Sequence, residues 1–155
     1  MITIQQRIEK LGLQFPEPNL PQGSYCPTVK SGKLLFIAGQ GPRLNGALAY
    51  RGTVGDDLSF EEGYAAAQIC GLNLLRQLSD ACGGQLYAVK RVVRLAGIVR
   101  CTPDFERHAA VMNAASDLMV AVFGNCGIHA RIATGSPSLP SGMAVEIEGV
   151  FELAD

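Results

Sequence analysis

The sequence predicts an α+β fold in which a mixed β-sheet carries two helices on one face. One observation is the alternation of strand and helix periods, which gives the order ββ-α-β-α-ββ along the chain. Another is the composition, with 48% hydrophobic and only 17% charged residues in a chain of 155. This length favours one domain with a sizeable core, and the second sheet face also carries apolar residues that need cover from another subunit.

The first elements are short. Residues 2–13 have apolar positions at helical spacing and predict an amphipathic helix ended by Gly12 and the prolines that follow. We treat residues 1–20 as an N-terminal helical extension with no assigned chemistry, and residues 21–155 as a single domain. Two strands turned at Ser31-Gly32 are expected within 28–38, followed by a glycine-rich loop without a period over 39–58.

Two long helices and an intervening strand come next. Residues 59–62, SFEE, form a capping box that begins the first helix, and the glycines at 83–84 end it. Residues 89–99 are β-branched and apolar on both faces, which is typical of a central strand. The TPD motif at 102–104 predicts the start of the second helix, which Gly124 ends.

The closing segment carries the most informative charges. Arg131 lies among small apolar residues, and an arginine in such a place needs an ion-pair partner or an anionic ligand. A turn at 136–142 separates it from a strand over 143–153 that contains Glu146 and Glu148. If the two strands are adjacent, a cation and a carboxylate line one pocket. A structural ion pair between Arg131 and either glutamate is the alternative.

Three stretches together resemble the RidA/YjgF/UK114 family of small reactive-intermediate deaminases. They are Arg131 with Leu139-Pro140 and the VEIE run at 145–148, the stretch 25–42 (YCPTVKSGKLLFIAGQGP), and Asn113 in the second helix. The resemblance implies a chorismate-mutase-like, homotrimeric fold. It implies hydrolysis of 2-imino or enamino acids to 2-keto acids and ammonia, without a metal or organic cofactor, because an imine is already electrophilic.

The resemblance also implies roles for single residues. Arg131 clamps the substrate carboxylate, while Glu146 and the main-chain carbonyl of Ala133 hold the attacking water. The other matching positions line the substrate cleft, with the tyrosine reaching across the subunit boundary: Tyr25, Ala38, Gly39 and Asn113. Considered without the resemblance, Tyr25 is a packed tyrosine with a tethered hydroxyl and Asn113 a buried structural amide. Glu148 and Glu152 indicate a solvated strand face.

Two departures from the family pattern leave other functions open. Ala38 stands where the family has serine, and Ala133 where it has cysteine, which excludes thiolate catalysis at this site. A non-catalytic protein that binds or senses small carboxylates is therefore a second hypothesis. A third is the endoribonuclease or translation-inhibitor role of some family members. The net charge of -1 and the scattered basic residues argue against nucleic acid as a partner.

The expected partners are a carboxylate-bearing imine, enamine or keto acid and two further copies of the chain. Five cysteines without CxxC spacing and only two histidines give no recognisable zinc site and favour a reducing, cytoplasmic compartment. Charges at Arg7, Glu9 and Lys10 argue against a signal peptide, and no segment is expected to reach membrane-spanning length.

Overall fold

The computed structural model describes residues 1–155 as three α-helices and seven β-strands. The helices are α1 (Ile4–Leu11), α2 (Phe60–Ala81) and α3 (His108–Phe123). The strands are β1 (Thr28–Ser31), β2 (Leu34–Gln40), β3 (Arg43–Leu44), β4 (Ala47–Leu48), β5 (Val89–Arg100), β6 (Ala130–Ser136) and β7 (Val145–Leu153).

Five strands form one mixed sheet in the order β1-β2-β7-β5-β6. All neighbouring pairs are antiparallel except β5 and β6, which run parallel. The predicted α+β class with a mixed sheet is therefore confirmed. The 89–99 segment is an interior strand as expected, but β7 occupies the centre of the sheet.

The core lies between this sheet and the two long helices α2 and α3. Alternate strand residues such as Leu95, Val99 and Ile147 point into it and are buried. The helices approach each other closely at Gly71, where a Cβ would lie 3.3 Å from the Ala115 backbone. The prediction of two helices on one sheet face is confirmed, and α1 packs beside α3 without burying any residue of its own.

The opposite face of the sheet leaves apolar side chains exposed. They include Leu34 and Phe36 on β2 and Ile132 on β6, while Val150 on β7 is half-buried. Alternation along each strand explains the pattern, because the residues between them fill the core. We call this surface the open face.

The last two strands do not form the adjacent pair that would place Arg131 beside Glu146. β5 lies between β6 and β7, with Leu95 opposite Arg131 on one side and Ile98 opposite Glu146 on the other. β5, α3 and β6 form a crossover unit, so β6 returns parallel to β5 and occupies its free edge.

The chain then crosses the end of β5 to reach β7. Arg100 at that end fixes the crossing, since its backbone N donates to Ala144 O at 2.8 Å. Its guanidinium NH1 donates to Gly142 O at 3.1 Å. The turn signals at 136–142 thus mark a crossing over a strand end, which sequence patterns do not distinguish from a hairpin.

Two other boundaries differ from the prediction. α3 begins at His108 rather than at 102–104, because Thr102 N donates to Val54 O at 3.1 Å and keeps this stretch attached to the end of the sheet. The loop predicted over 39–58 contains the β3–β4 hairpin. Asn45 and Gly46 have positive φ values of 51° and 86°, as in a type I′ turn, and Asn-Gly was the signal for it.

The segment His108–Gly127 is long and apolar enough to cross a membrane, although none of that length was expected. Within the fold, 44% of its apolar window is buried. The apolar side chains of α3 contact α2 and the sheet, so core packing accounts for its hydropathy.

The capping boxes give a test of what each helix contributes to stability. Ser59 caps α2, with Glu62 N donating to Ser59 Oγ at 3.1 Å, and Thr3 caps α1 in the same way. Ser59→Ala should lower the free energy of unfolding by about 1 kcal/mol. Thr3→Ala should change it much less, since α1 frays without exposing core. Chemical denaturation of both variants measures this, and equal losses would contradict the assignment of α1 as peripheral.

Candidate functional site

The predicted site residues form two separate clusters in one chain. The first, the arginine cluster, lies on the helix-covered side of the edge strand β6. Arg131 NH1 donates to Asn113 Oδ1 at 2.9 Å and to Ser116 Oγ at 3.1 Å, and NH2 donates to Ala109 O at 3.3 Å. Two successive turns of α3 therefore fix the guanidinium, and Ala133 lies half-buried on the same side of β6.

Arg131 has no carboxylate partner. The ion pairs of the chain are Lys33–Asp155, Arg76–Asp80 and Lys90–Glu152, so the alternative of a structural ion pair with Glu146 or Glu148 is wrong. A guanidinium has five N–H groups, and Arg131 uses three of them. The remaining two are enough for a two-point contact with a planar carboxylate.

Ser116 and His129 complete the arginine cluster, and sequence analysis missed both. His129 Nδ1 lies 2.6 Å from Gly127 O, and its Nε2 lies 2.9 Å from Ser116 Oγ. A carbonyl only accepts, so these partners assign the proton to Nδ1 and make Nε2 the acceptor of the Ser116 hydroxyl. The hydroxyl thereby turns its lone pairs toward Arg131. The one available signal was Ser116 three residues after Asn113, on the same helix face.

The apolar neighbours of Asn113 predicted a buried structural amide, and this prediction is wrong. Its side chain is exposed in the single chain and accepts from Arg131. Asn113 therefore belongs to the arginine cluster.

The second cluster, the glutamate pocket, forms around Glu146 at a bulge of β2. At Ala38 and Gly39, two residues of β2 face one residue of β7. The Glu146 carboxylate lies against Gly39, and a Cβ added there would overlap its Oε1. Glycine at position 39 thus makes room for the carboxylate. The resemblance placed Gly39 in the lining of the cleft, and this clearance gives a physical reason for glycine there.

Glu146 opens into a cavity of about 350 Å³. Its walls are the segment 19–27, the end of β2 with Arg43 beyond it, and the turn at 140–143. The lining combines polar side chains and backbone with apolar side chains and prolines. The cavity is open to solvent on one side and admits a small organic acid.

The carboxyl group of Glu146 is half-buried, and this raises its pKa above the ordinary value of 4.5. The nearby Glu148 carboxylate raises the pKa further. Beneath it on the core side, burial raises the pKa of the Cys70 thiol well above 9.0, and the Glu146 charge adds to the shift. A carboxylate with a raised pKa and no ion-pair partner is suited to accept a proton from water.

One wall of the glutamate pocket comes from the segment that was assigned no chemistry. Asn19 O accepts from Gln77 Nε2 at 3.0 Å, and Asn19 Nδ2 donates to Gln40 Oε1 at 3.2 Å. Gln40 and Gln77 are both almost fully buried. These bonds hold residues 19–25, which we call the strap, over the pocket. The end of the 1–20 extension therefore reaches the candidate site.

Tyr25 and Ala38 take different positions around this pocket. Tyr25 lines it together with Glu146 and is 52% exposed, and its hydroxyl accepts from Gln22 N at 3.2 Å, which confirms the expected tether. Ala38 instead faces a neighbouring groove on the open face with Phe36 and Glu148.

The two clusters do not meet within one chain. Arg131 contacts α3 on the helix-covered side, whereas Glu146 points away from the buried Val145 and Ile147 toward the open face. Their strands are separated by β5 and their positions by three residues along it, which is about 14 Å at ordinary strand spacing.

Comparison with known proteins identifies the family. Residues 5–151 match the family described as "YjgF/chorismate_mutase-like, putative endoribonuclease". The chain belongs to this YjgF family. The protein TCP17 of Trypanosoma cruzi is 38% identical over 97% of this chain and 94% of its own length.

Solved structures agree with the YjgF-family fold. The Agrobacterium tumefaciens protein Atu1372, of unknown function, has a TM-score of 0.91 at 37% identity, covering 97% of this chain and 92% of its own. The YjgF gene product of Escherichia coli has a TM-score of 0.61 at 20% identity, covering 87% and 92%. The chorismate-mutase-like fold that the sequence resemblance implied is therefore confirmed.

Gly39→Ala tests the clearance at the β2 bulge. The added Cβ should displace the Glu146 carboxylate and shift its titration, with only a small loss of stability because the carboxylate is the flexible end of a side chain beside an open cavity. Gly23→Ala is the matched control, since a Cβ there meets only the Tyr25 ring at 3.8 Å. Thermal unfolding and a carbon NMR titration of the Glu146 carboxyl group measure both effects. A Gly39→Ala chain with parental stability and Glu146 titration would contradict the close packing.

Proposed function

We propose that this protein hydrolyses reactive 2-imino and enamino acids to 2-keto acids and ammonia. The observation that carries the proposal is an arginine with two free N–H groups and no carboxylate partner, in a chain that also holds a half-buried, unpaired glutamate. The arginine suits the carboxylate of the substrate, and the glutamate suits the water that attacks it.

The chemistry needs only positioning and proton transfer. The oxygen of a water molecule forms a bond with C2 of the imine while Glu146 takes one proton of that water. The Ala133 carbonyl accepts the other hydrogen and orients the oxygen lone pair. Glu146 then gives this proton to the imine nitrogen, which completes the carbinolamine. The proton of the new hydroxyl group is transferred to the same nitrogen through Glu146, ammonia leaves, and C2 becomes the ketone carbon. Holding both reactants together makes the step effectively unimolecular.

We further propose that the complete site lies between two copies in a homotrimer. Arg131, Asn113 and Ala133 would come from one chain, and Gly39, Tyr25 and Glu146 from its neighbour. Three features support this arrangement. The two clusters are about 14 Å apart on opposite faces of one chain, β6 has a free edge, and the open face exposes Phe36 and Ile132. In a closed homotrimer these surfaces would be buried between neighbouring chains, and the site would occur three times.

Mixing two impaired variants tests the two-copy site directly. Chains with Arg131→Lys and chains with Glu146→Gln are refolded together and separately. If each site takes Arg131 and Glu146 from different chains, about a quarter of the sites in a random mixture regain both groups. At subsaturating substrate, activity in the mixture well above that of either pool is the expected result. Light scattering that gives a monomer, or a mixture no more active than the separate pools, would overturn the shared site.

A non-catalytic carboxylate-binding protein is the second candidate, and Ala133 together with Ala38 favours it. Ala133→Cys separates the two functions. If the backbone carbonyl at 133 holds the water, cysteine there should change the rate of imine hydrolysis only modestly. A parent that does not exceed spontaneous hydrolysis, measured by trapping the remaining imine with semicarbazide, would support the binding protein instead.

Arg131→Lys should weaken binding of 2-oxobutyrate, a stable product analogue, by about ten- to over a hundredfold. A lysine cannot make the bidentate contact with a carboxylate. Arg91→Lys makes the same substitution at an exposed position on β5 and should leave binding as in the parent. Isothermal titration calorimetry measures both. If the Arg131 variant binds like the parent, Arg131 is structural.

Glu146→Gln should lower kcat by about a hundredfold or more, because the charged acceptor for the water proton is lost. Hydrolysis by the parent needs the ionised carboxylate. It is therefore present above the raised pKa of Glu146 and disappears as pH falls through that pKa, at a pH above 4.5.

Glu148→Gln provides the matched control. It removes a negative charge that raises the pKa of Glu146, so the acidic limb of kcat/KM should move to lower pH while the rate above it persists. A limb that stays in place would show that another group controls it.

A further inference from the structure

The charges of the glutamate pocket extend beyond Glu146. Arg43 at the start of β3 also lines the cavity, and these two are its only charged residues. Neither takes part in any of the ion pairs of the chain. The raised pKa of Glu146 agrees with this, because a guanidinium paired with that carboxylate would lower its pKa. The pocket therefore contains the Arg43 guanidinium and the Glu146 carboxylate, and neither group has an ion-pair partner.

The backbone of Arg43 is fixed by a buried side chain. Asn73 of α2 is 1% exposed, and its Nδ2 donates to Arg43 O at 2.8 Å and to Gly41 O at 3.0 Å. Arg43 N donates in turn to Gly41 O at 2.9 Å. Beyond it, the tight Asn45-Gly46 turn closes the β3–β4 hairpin. These bonds fix the backbone that carries the Arg43 side chain at the wall of the pocket.

The rest of the lining is mixed. Six of its fourteen residues, three of them prolines, have apolar or aromatic side chains. Asn19 and Gln22 from the strap and Ser141 from the opposite turn add neutral polar groups. Arg43 is therefore the lining group that can distinguish a ligand with a second carboxylate from one with an alkyl side chain.

We propose that the glutamate pocket selects 2-imino acids, and the corresponding keto acids, that carry a second carboxylate on the side chain, with Arg43 binding that carboxylate. This inference rests on the proposed function, in which Arg131 of the neighbouring chain takes the carboxylate at C1. Glu146 and its water then act at C2, and Arg43 recognises the far end of the substrate. Four- and five-carbon dicarboxylic imino acids are the chemical class that this arrangement fits.

Binding of stable keto acids tests the inference without requiring turnover. The parent should bind 2-oxoglutarate at least about tenfold more tightly than 2-oxobutyrate, since one charge-assisted pair separates the two ligands. Arg43→Gln should abolish this preference, and Arg43→Lys should retain part of it. Lys10→Gln removes the same charge from the exposed side of α1 and should keep the parental ratio.

Three results would overturn the inference that Arg43 binds a second carboxylate. A parent without preference, or Arg43→Gln with the parental ratio, overturns the inference. Equal weakening of both ligands also overturns it, since Arg43 would then bind the C1 carboxylate that both share. Thermal unfolding of Arg43→Gln and Arg43→Lys checks that both fold.

Turnover is measured separately with the imines of glutamate and of 2-aminobutyrate, made by amino-acid oxidases. If the Arg43-dependent preference for 2-oxoglutarate holds while neither imine is hydrolysed faster than in buffer, the proposed enzyme function fails. The ligand class assigned to the pocket then stands.

Discussion

The position of β5 between β6 and β7 is the constraint on which the functional arrangement depends. A strand–helix–strand crossover must return parallel to its first strand, so β6 occupies one edge of β5. β7 then pairs with the other edge, and a single chain holds its arginine and its glutamate apart. Under the proposed function, this topology places the group that binds the substrate carboxylate and the group that activates water on different chains, which would require the chain to assemble.

The glutamate pocket and the arginine cluster each depend on close contacts around the charged side chain. On the glutamate side, the absence of a side chain at Gly39 admits a carboxylate to a half-buried position beside the β2 bulge. On the arginine side, one face of α3 supplies three acceptors that hold the guanidinium and leave part of it free. Neither arrangement uses the side chains at positions 38 and 133, so alanine at both positions leaves these contacts in place.

Much of the fold could be predicted from the sequence because local signals decided it. The Ser59 capping box, the glycine that ends α3 and the apolar strand over 89–99 each have a local physical cause. The β6–β7 arrangement could not be predicted, since a short connection looks the same whether it turns back or crosses a strand end.

Residues of the candidate site were likewise predictable only where a local signal existed. Arg131, Asn113 and Glu146 could be found from residue type and resemblance. Ser116, His129 and Arg43 depend on contacts between elements distant in sequence, which no local pattern shows.

The strap allows the lining of the pocket to change in sequence independently of the residues that stabilise the fold. Residues 19–25 shape the pocket, yet none of them is buried. They are held by the hydrogen bonds that Asn19 donates to Gln40 and accepts from Gln77 rather than by the core. Substitutions there can alter which molecules enter without loosening the scaffold beneath. A descendant of this chain could change which ligands the pocket admits by varying the six exposed residues 20–25 while Asn19, the sheet, the helices and both charged clusters stay as they are. The segment is thus a natural place for diversification, and for directed evolution in the laboratory.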